Sequence, residues 1–413
     1  MDILFIHPNF PGQFRRISQA AAALPDVKVW GIGADNWIGP QAHAPGIQLL
    51  RYPMPPTCEE AHPWARGFDL AVRRGEQVMH TLGQYKRAGL EPDVIVMHPG
   101  WGDGFFVRDF FPGAHVVGFF EYYYRAHGAD LGFDKEFPNK IDDIFRLHAS
   151  NATQLLSLES CDVGICPTQW QRSRFPSGYQ SHLQVQHEGI DTRTVCPNPN
   201  ATFRLPDGRE LSREHEVLTF VARNLEPYRG FHTFMRALPD ILRHRPHCQV
   251  LIVGADGCSY GKPPTDAANW KERMLRELSQ RSAAGPDAID LSRVHFTGAL
   301  PYAQYLQALQ VSRAHVYLTY PFILSWSMLE AMSAGCVVLA SNTAPVSEFI
   351  TDGSNGQLFD FHQPDQLAAQ AIHALAHPQA HAHLGQAARQ SAVQKLDFET
   401  IAWPAYRTIL GLD

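Results

Sequence analysis

Two arginines, Arg223 and Arg229, lie in the segment Val221-Ala-Arg-Asn-Leu-Glu-Pro-Tyr-Arg-Gly230, directly after an apolar run. A guanidinium never deprotonates and offers a planar fork of donors, so such a pair after a strand fits phosphate oxygens. It would also stabilise charge building up on a leaving diphosphate, and on that chemistry the two arginines are catalytic candidates. A second segment, Tyr320-Pro-Phe-Ile-Leu-Ser-Trp-Ser-Met-Leu-Glu-Ala-Met-Ser-Ala-Gly335, has Ser325 where a helix N-cap is wanted and Gly335 where a helix stops. The first-turn amides and dipole of that short helix favour an anion by about 0.3–1 kcal/mol before hydrogen bonds are added. Candidates for that anion site are Phe322, Ile323, Leu324, Ser325, Trp326 and Ser327, with Glu330 about one turn in. A carboxylate only accepts, which suits Glu330 to two vicinal hydroxyls. Glu348 closes a third strand–turn–helix segment that starts at Ser341, where a charge at a helix N-terminus is the plain alternative.

The first half carries weaker signals. Gly12 follows the opening apolar run, and a glycine there lets backbone approach a phosphate. The glycine-rich stretch His98-Pro-Gly-Trp101-Gly-Asp-Gly104 is expected to form part of a sugar or acceptor surface through His98 and Trp101. Glu121 and Tyr122 follow a further run; Glu121 is read either as a contact to sugar hydroxyls or as an ion-pair partner between domains.

These residues need elements to hold them. Apolar runs recur at 3–7, 27–32, 94–98, 115–120, 163–167 and 183–187, and again at 217–222, 249–254, 294–298, 315–320, 337–341 and 357–361. They are continuous rather than alternating, the mark of strands buried on both faces of a parallel sheet. The sequence therefore predicts an α/β chain with two doubly wound, Rossmann-like domains facing a central cleft, with ligands at the carboxyl ends of the strands. The expected division is 1–191, a Pro- and charge-rich linker over 192–214, 215–395, and a C-terminal helix over 396–413 that packs back on the first domain.

Composition narrows the function. With 413 residues, 45% apolar, 18% charged and a formal charge of -6, the chain reads as globular and has no basic field for nucleic acid. The seven cysteines are scattered and read as buried hydrophobes of a reducing compartment. The start, Met1-Asp-Ile-Leu4, lacks a signal-peptide pattern, and no apolar run is long enough for a transmembrane helix. A cytoplasmic protein is expected.

On Arg223, Arg229-Gly230, Glu330-Ala-Met-Ser-Ala-Gly335, Glu348 with Asp352-Gly353 and Gly356, and His187-Glu-Gly-Ile-Asp191, the chain resembles the retaining GT-B glycosyltransferases of family 4 (GT4). The resemblance is good over 160–390 and weak in the first half, and it is closest to bacterial exopolysaccharide and surface-glycan enzymes. It implies a nucleoside-diphosphate sugar as donor, with UDP favoured over GDP, and a glycan or lipid-linked acceptor. No further cofactor and no metal are implied. Arg223 and Arg229 would hold the diphosphate, Glu330 the ribose, and the turn at Thr297-Gly298 would pass the base. One residue departs from the pattern: Phe322 stands where the family has the first glutamate of its paired-glutamate motif, so backbone around Ile323–Ser325, or a residue of the first domain, is expected to hold the sugar.

Several features read blandly. His373, His377, His381 and His383 are expected on a solvated face, and Gly257-Cys-Ser-Tyr-Gly261-Lys-Pro263 has the wrong spacing for a P-loop. The basic run Arg66, Arg73, Arg74, Lys86 and Arg87 is either a solvated face or a patch for contact with the inner face of a membrane. The competing functions are a non-catalytic bilobed sugar- or nucleotide-binding protein and a sugar-nucleotide epimerase.

Overall fold

The computed structural model describes residues 1–39, 43–283 and 290–413, with backbone alone at 282 and 283. The chain forms two units, Met1–Gly189 with Phe398–Asp413, and Ile190–Asp397.

The first unit is built on β1 (Asp2–Ile6), β2 (Lys28–Ala34), β3 (Ile47–Tyr52), β4 (Val94–Met97), β5 (His115–Phe119), β6 (Val163–Cys166) and β7 (Leu183–Val185). They form one sheet in the order β3-β2-β1-β4-β5-β6-β7, and every neighbouring pair is parallel. Ile3, Leu4, Phe5 and Ile6 are all fully buried, because helices cover both faces of this strand. The strand order reverses direction between β1 and β4, and a ligand crevice of such a sheet opens at their carboxyl ends. His7 and His98 stand there.

The second unit starts with a small antiparallel hairpin, β8 (Phe203–Arg204) and β9 (Glu210–Leu211). Its main sheet contains β10 (Val217–Asn224), β11 (Gln249–Ala255), β12 (Val294–Gly298), β13 (Ala314–Tyr317), β14 (Val337–Ser341) and β15 (Gln357–Phe359). The order is β12-β11-β10-β13-β14-β15, again all parallel, with the switch between β10 and β13. The Arg223–Gly230 segment follows β10 and the Tyr320–Gly335 segment follows β13.

Four readings change. β3 lacks the continuous apolar signal because buried and exposed residues are mixed along it: Leu50 and Tyr52 face the core while Gln48 and Arg51 are exposed. The stretch 192–214 is no free linker: Val195, Ala201, Phe203, Leu205 and Leu211 are buried within the second unit. The basic run on the helix Arg66–Arg87 is largely committed. Arg74 is only 3% exposed and pairs with Asp103 at 3.3 Å, Arg73 pairs with Asp69, and Lys86 donates to the Phe110 carbonyl. His381 is buried, not solvated, and its Nε2 lies 2.7 Å from Nδ1 of His373.

Phe398, Ala402, Tyr406 and Leu410 pack in one cluster with Ile3, Phe5, Phe14 and Phe119, so the C-terminal segment is part of the first unit's core. Among the described residues, no helix is long and apolar enough to cross a membrane.

Candidate functional site

In the second unit the chain turns sharply after β10 and ends that turn at Gly230, whose φ is +64°. A Cβ there would overlap the Leu318 side chain, so only glycine fits both the backbone and the space. This turn delivers Arg229 inward. It is 6% exposed, and its Nη1 donates to Thr319 Oγ1 at 2.8 Å, to the Ile323 carbonyl at 2.9 Å and to the Tyr317 hydroxyl at 3.4 Å. Arg229 is therefore not the open fork expected from its position. It is a buried cation that straps the loop after β13 against the end of the sheet.

The Tyr317 hydroxyl also accepts the Ser325 N–H at 2.9 Å. Ser325 caps the helix Trp326–Ser333, its side chain accepting from the Ser327 amide, and the two hydroxyls are 3.1 Å apart. One hydroxyl thus joins the Arg229 guanidinium to the mouth of the helix, and the positive groups share one place at the β10/β13 switch. Ser327 and Leu324 are buried, while Trp326 is 41% exposed. Arg223, by contrast, is exposed and makes no hydrogen bond or ion pair among the described residues.

Glu330 is 7% exposed, and its two carboxylate oxygens accept from the hydroxyls of Tyr302, at 2.7 Å, and Tyr305, at 2.6 Å. Burial and then the Glu330 charge push the Tyr305 hydroxyl well above its usual range, so it remains a donor. Both tyrosines lie on the helix Tyr302–Val311, which follows β12 and the turn at Gly298 (φ +68°). Thr297 is half-buried and its hydroxyl donates to backbone carbonyls of Ile252 and Gly298. Glu348 is half-buried and caps the C-terminal end of the short helix Ala344–Ser347, which rules out the helix-opening position its sequence suggested.

Phe322 is 3% exposed and packs edge-on against Tyr228 at 5.4 Å and Tyr260 at 4.9 Å. The Arg229 guanidinium lies 5.2 Å from the Tyr260 ring centre and 6.0 Å from that of Phe322. An aromatic cluster thus surrounds the arginine where the resembling family carries a carboxylate.

In the first unit a polar chain runs across the ends of β1, β4 and β5. The Asn9 N–H donates to His7 Nδ1 at 3.0 Å, so the proton of the neutral ring sits on Nε2. That nitrogen lies 2.7 Å from Gln13 Oε1, and the Gln13 amide nitrogen then donates to Glu121 Oε1 at 2.9 Å. Burial first, then the neighbouring His98 imidazole, hold His7 well below its ordinary range, which keeps it neutral. His98 accepts the Gly100 N–H on Nδ1, so its Nε2–H points at Glu121 Oε2 from 3.5 Å. That contact is too long for a good hydrogen bond, and His98 Nε2 is buried with no other partner among the described residues.

Gly12 (φ +47°) stands over the His7 ring, where a Cβ would overlap it. Trp101 packs 4.5 Å from His98 and 5.2 Å from His7. Tyr122 stands apart from this chain: it is 3% exposed and its hydroxyl donates to Asp130 at 2.9 Å.

The sequence reading missed Tyr302, Tyr305, Tyr317, His7 and Gln13. The signals were present but ambiguous, since a tyrosine pair in one helical turn and a histidine ending a strand are ordinary core features.

Two family models match the chain, "Glycosyl transferase family 4 group" over residues 28–195 and "Glycosyl transferases group 1" over residues 207–391. The chain is similar to the spore coat protein SA of Bacillus subtilis, with 24% identity over 242 residues, 56% of this chain and 59% of that protein. It is similar to the GDP-mannose-dependent alpha-(1-6)-phosphatidylinositol monomannoside mannosyltransferase of Mycolicibacterium smegmatis, with 26% identity over 248 residues, 58% of this chain and 59% of that enzyme. The match thus spans somewhat under two thirds of either relative. The phosphatidyl-myo-inositol mannosyltransferase of the same organism is 26% identical over 65% of this chain and 72% of its own. The fold is shared with sucrose-phosphate synthase of Thermosynechococcus elongatus (TM-score 0.71, 16% identity, all of both chains). It is shared too with the Anabaena HepE protein solved in complex with UDP and glucose (TM-score 0.65, 15% identity, all of both chains). The architecture is GT-B.

Proposed function

Because the chain belongs to the GT4-like glycosyltransferases, we propose that it moves a sugar from a nucleoside diphosphate to a glycan or lipid-linked acceptor, with retention. The observation that carries this reading is the joining of Arg229, the Tyr317 hydroxyl and the Ser325 amide at the β10/β13 switch. A buried cation behind a helix mouth suits a diphosphate whose charge grows as the sugar leaves. Arg223, exposed and unpaired among the described residues, supplies the direct donor fork. Glu330, oriented by Tyr302 and Tyr305, accepts from the ribose hydroxyls.

In the reaction the bond from the anomeric carbon to the diphosphate oxygen breaks and a bond to the acceptor oxygen forms. The acceptor proton passes to the departing phosphate, so the chain supplies position and charge rather than a nucleophile. The group set at the ends of β1, β4 and β5, with Glu121, is the acceptor-side surface. UDP-sugars are the preferred donors. The relatives named for GDP-mannose make GDP-mannose the necessary comparison, and those named for inositol lipids support a lipid-linked acceptor. On this reading the enzyme works in the cytoplasm, at the inner membrane face.

The test is release of nucleotide from UDP-glucose and GDP-mannose by the purified chain with lipid and glycan acceptors, with and without EDTA. Saturable, acceptor-dependent, EDTA-insensitive release is expected, with the anomeric configuration kept in the product. Tight nucleotide binding without release would refute it and support the non-catalytic binding protein, the reading that Phe322 favours.

A further inference from the structure

Glu226 is a fully buried carboxylate that the proposed reaction does not use. It accepts the amides of Ser259 at 3.0 Å, Tyr260 at 3.1 Å and Gly261 at 2.9 Å, and the Cys258 thiol at 3.1 Å. Consecutive backbone N–H groups aimed at one point form a nest, the geometry that proteins use to hold phosphate or another anion. Here the anion belongs to the chain itself. The glycine-rich segment after β11 that resembles a P-loop in composition is thus already filled. Burial and the Glu226 carboxylate push the Cys258 thiol up to about 12, so it stays a donor to the nest's anion.

The nest has a consequence one residue further out. With its amide pinned, Tyr260 holds its ring 5.2 Å from the Arg229 guanidinium and 4.9 Å from Phe322, while remaining 37% exposed. Glu226 is also the residue before Pro227–Arg229, and its carbonyl accepts the Arg229 N–H at 3.1 Å. One residue therefore grips both the arginine's turn and the loop that covers the arginine. Further ties of the loop include the Asn224 amide to the Ser259 hydroxyl, and the Trp270 indole to the Lys262 carbonyl at 3.1 Å.

We propose that Glu226 is a positioning residue, an internal anion that holds residues 258–261 so that Tyr260 presents its face over Arg229 as the donor-contacting surface, in place of the carboxylate absent at Phe322. The link to the donor rests on the glycosyltransferase reading above; the nest itself does not. Removing the carboxylate converts the nest into a vacant site for a small carboxylate such as formate.

Two readouts test this with the full chain. The first is amide hydrogen exchange at 259–261. These amides are expected to be protected in the wild type and to exchange at least about tenfold faster in Glu226→Ala, since each loses a hydrogen bond to a charged acceptor. Formate, but not chloride at equal ionic strength, restores protection. Unchanged protection in the variant, or equal effects of the two salts, overturns the nest. Should Glu226→Ala fail to fold, Glu226→Gln keeps the volume but sets an NH2 group against donors, and the same loss of protection is expected.

The second readout is the affinity for UDP and for GDP. It is expected to fall about tenfold in Glu226→Ala, to recover with formate, and to fall similarly in Tyr260→Ala, whose amides at 259 and 261 stay protected. Lost protection with unchanged nucleotide affinity overturns the donor role of the loop. A wild type that binds neither nucleotide refutes the proposed UDP- or GDP-linked donor instead, while the exchange experiment still decides the nest.

Discussion

Gln13 sits between a neutral histidine and a carboxylate, and replacing it with the isosteric acid tests the whole relay. In Gln13→Glu an oxygen takes the place of the nitrogen now 2.9 Å from Glu121 Oε1. Two full charges at that separation repel by about 6 kcal/mol at an effective dielectric constant of about 20. One pK unit is worth about 1.4 kcal/mol, so the pair does not ionise twice near neutrality and shares one proton instead.

The sign follows from linkage. In the unfolded chain both carboxyls titrate near about 4.3, whereas in the folded variant one titrates far higher. A folded-state pKa above the unfolded one gives stability that is present at low pH and lost as pH rises through the folded value. The melting temperature of Gln13→Glu should therefore approach that of the wild type near pH 4 and fall progressively below it between pH 5 and 8. If Glu121 accepts from a substrate hydroxyl, the acid limb of the turnover profile moves up by about one unit or more. The double variant Gln13→Glu with Glu121→Gln restores one amide facing one carboxylate, so it should recover the stability without the turnover. A melting-temperature gap that is the same at pH 5 and pH 8 would falsify the relay. An unmoved acid limb would remove Glu121 from the reaction.

Three further outcomes are expected. Tyr305→Phe deletes a donor to Glu330 and leaves a buried carboxylate oxygen short of a partner, at a cost of about 2 kcal/mol in urea unfolding and roughly tenfold weaker nucleotide binding by calorimetry; equal affinities would show that Glu330 does not face the ribose. Arg223→Ala should leave stability within about 0.5 kcal/mol yet weaken nucleotide binding about tenfold, whereas Arg229→Lys, losing the fork that holds the Ile323 carbonyl, should lose about 1–3 kcal/mol of stability as well; identical profiles for the two variants would erase the distinction. Burial holds His315 down to about 3 in the folded chain, so the stability tied to its neutral form is complete above its unfolded value of about 6.5 and is lost as pH falls toward 3; His315→Asn should flatten the slope of unfolding free energy between pH 4.5 and 6.5 by up to about 1.4 kcal/mol per pH unit, and an unchanged slope would refute it.

What could be read from the sequence follows from which physics is local. Twelve sheet strands left continuous apolar runs and lie where those runs are; in central ones such as β1 and β4 both faces are covered. β3 mixes exposed Gln48 and Arg51 with buried Leu50 and Tyr52, and that composition hid it. Gly335 was legible as a helix stop because a left-handed backbone needs it, whereas Gly230 was legible only as part of the family's motif. The partners of Glu330 were not, since Tyr302 and Tyr305 reach it only once β12 is laid beside β11. The committed state of Arg229 was hidden for the same reason: Thr319 and Ile323 are distant in sequence and adjacent only across the sheet. Residue type announced a cation near a phosphate-like site; only the packing reveals that one arginine is structural and the other open.

The segment Phe398–Asp413 gives the first unit a core drawn from two remote stretches of chain. During synthesis the whole of 190–397 leaves the ribosome before Phe398, Tyr406 and Leu410 can reach Ile3 and Phe5. The second unit, contiguous in sequence, can finish folding while the first still has a greasy groove open along β1. The nascent first unit therefore stays unsealed until the segment Phe398–Asp413 arrives to close it.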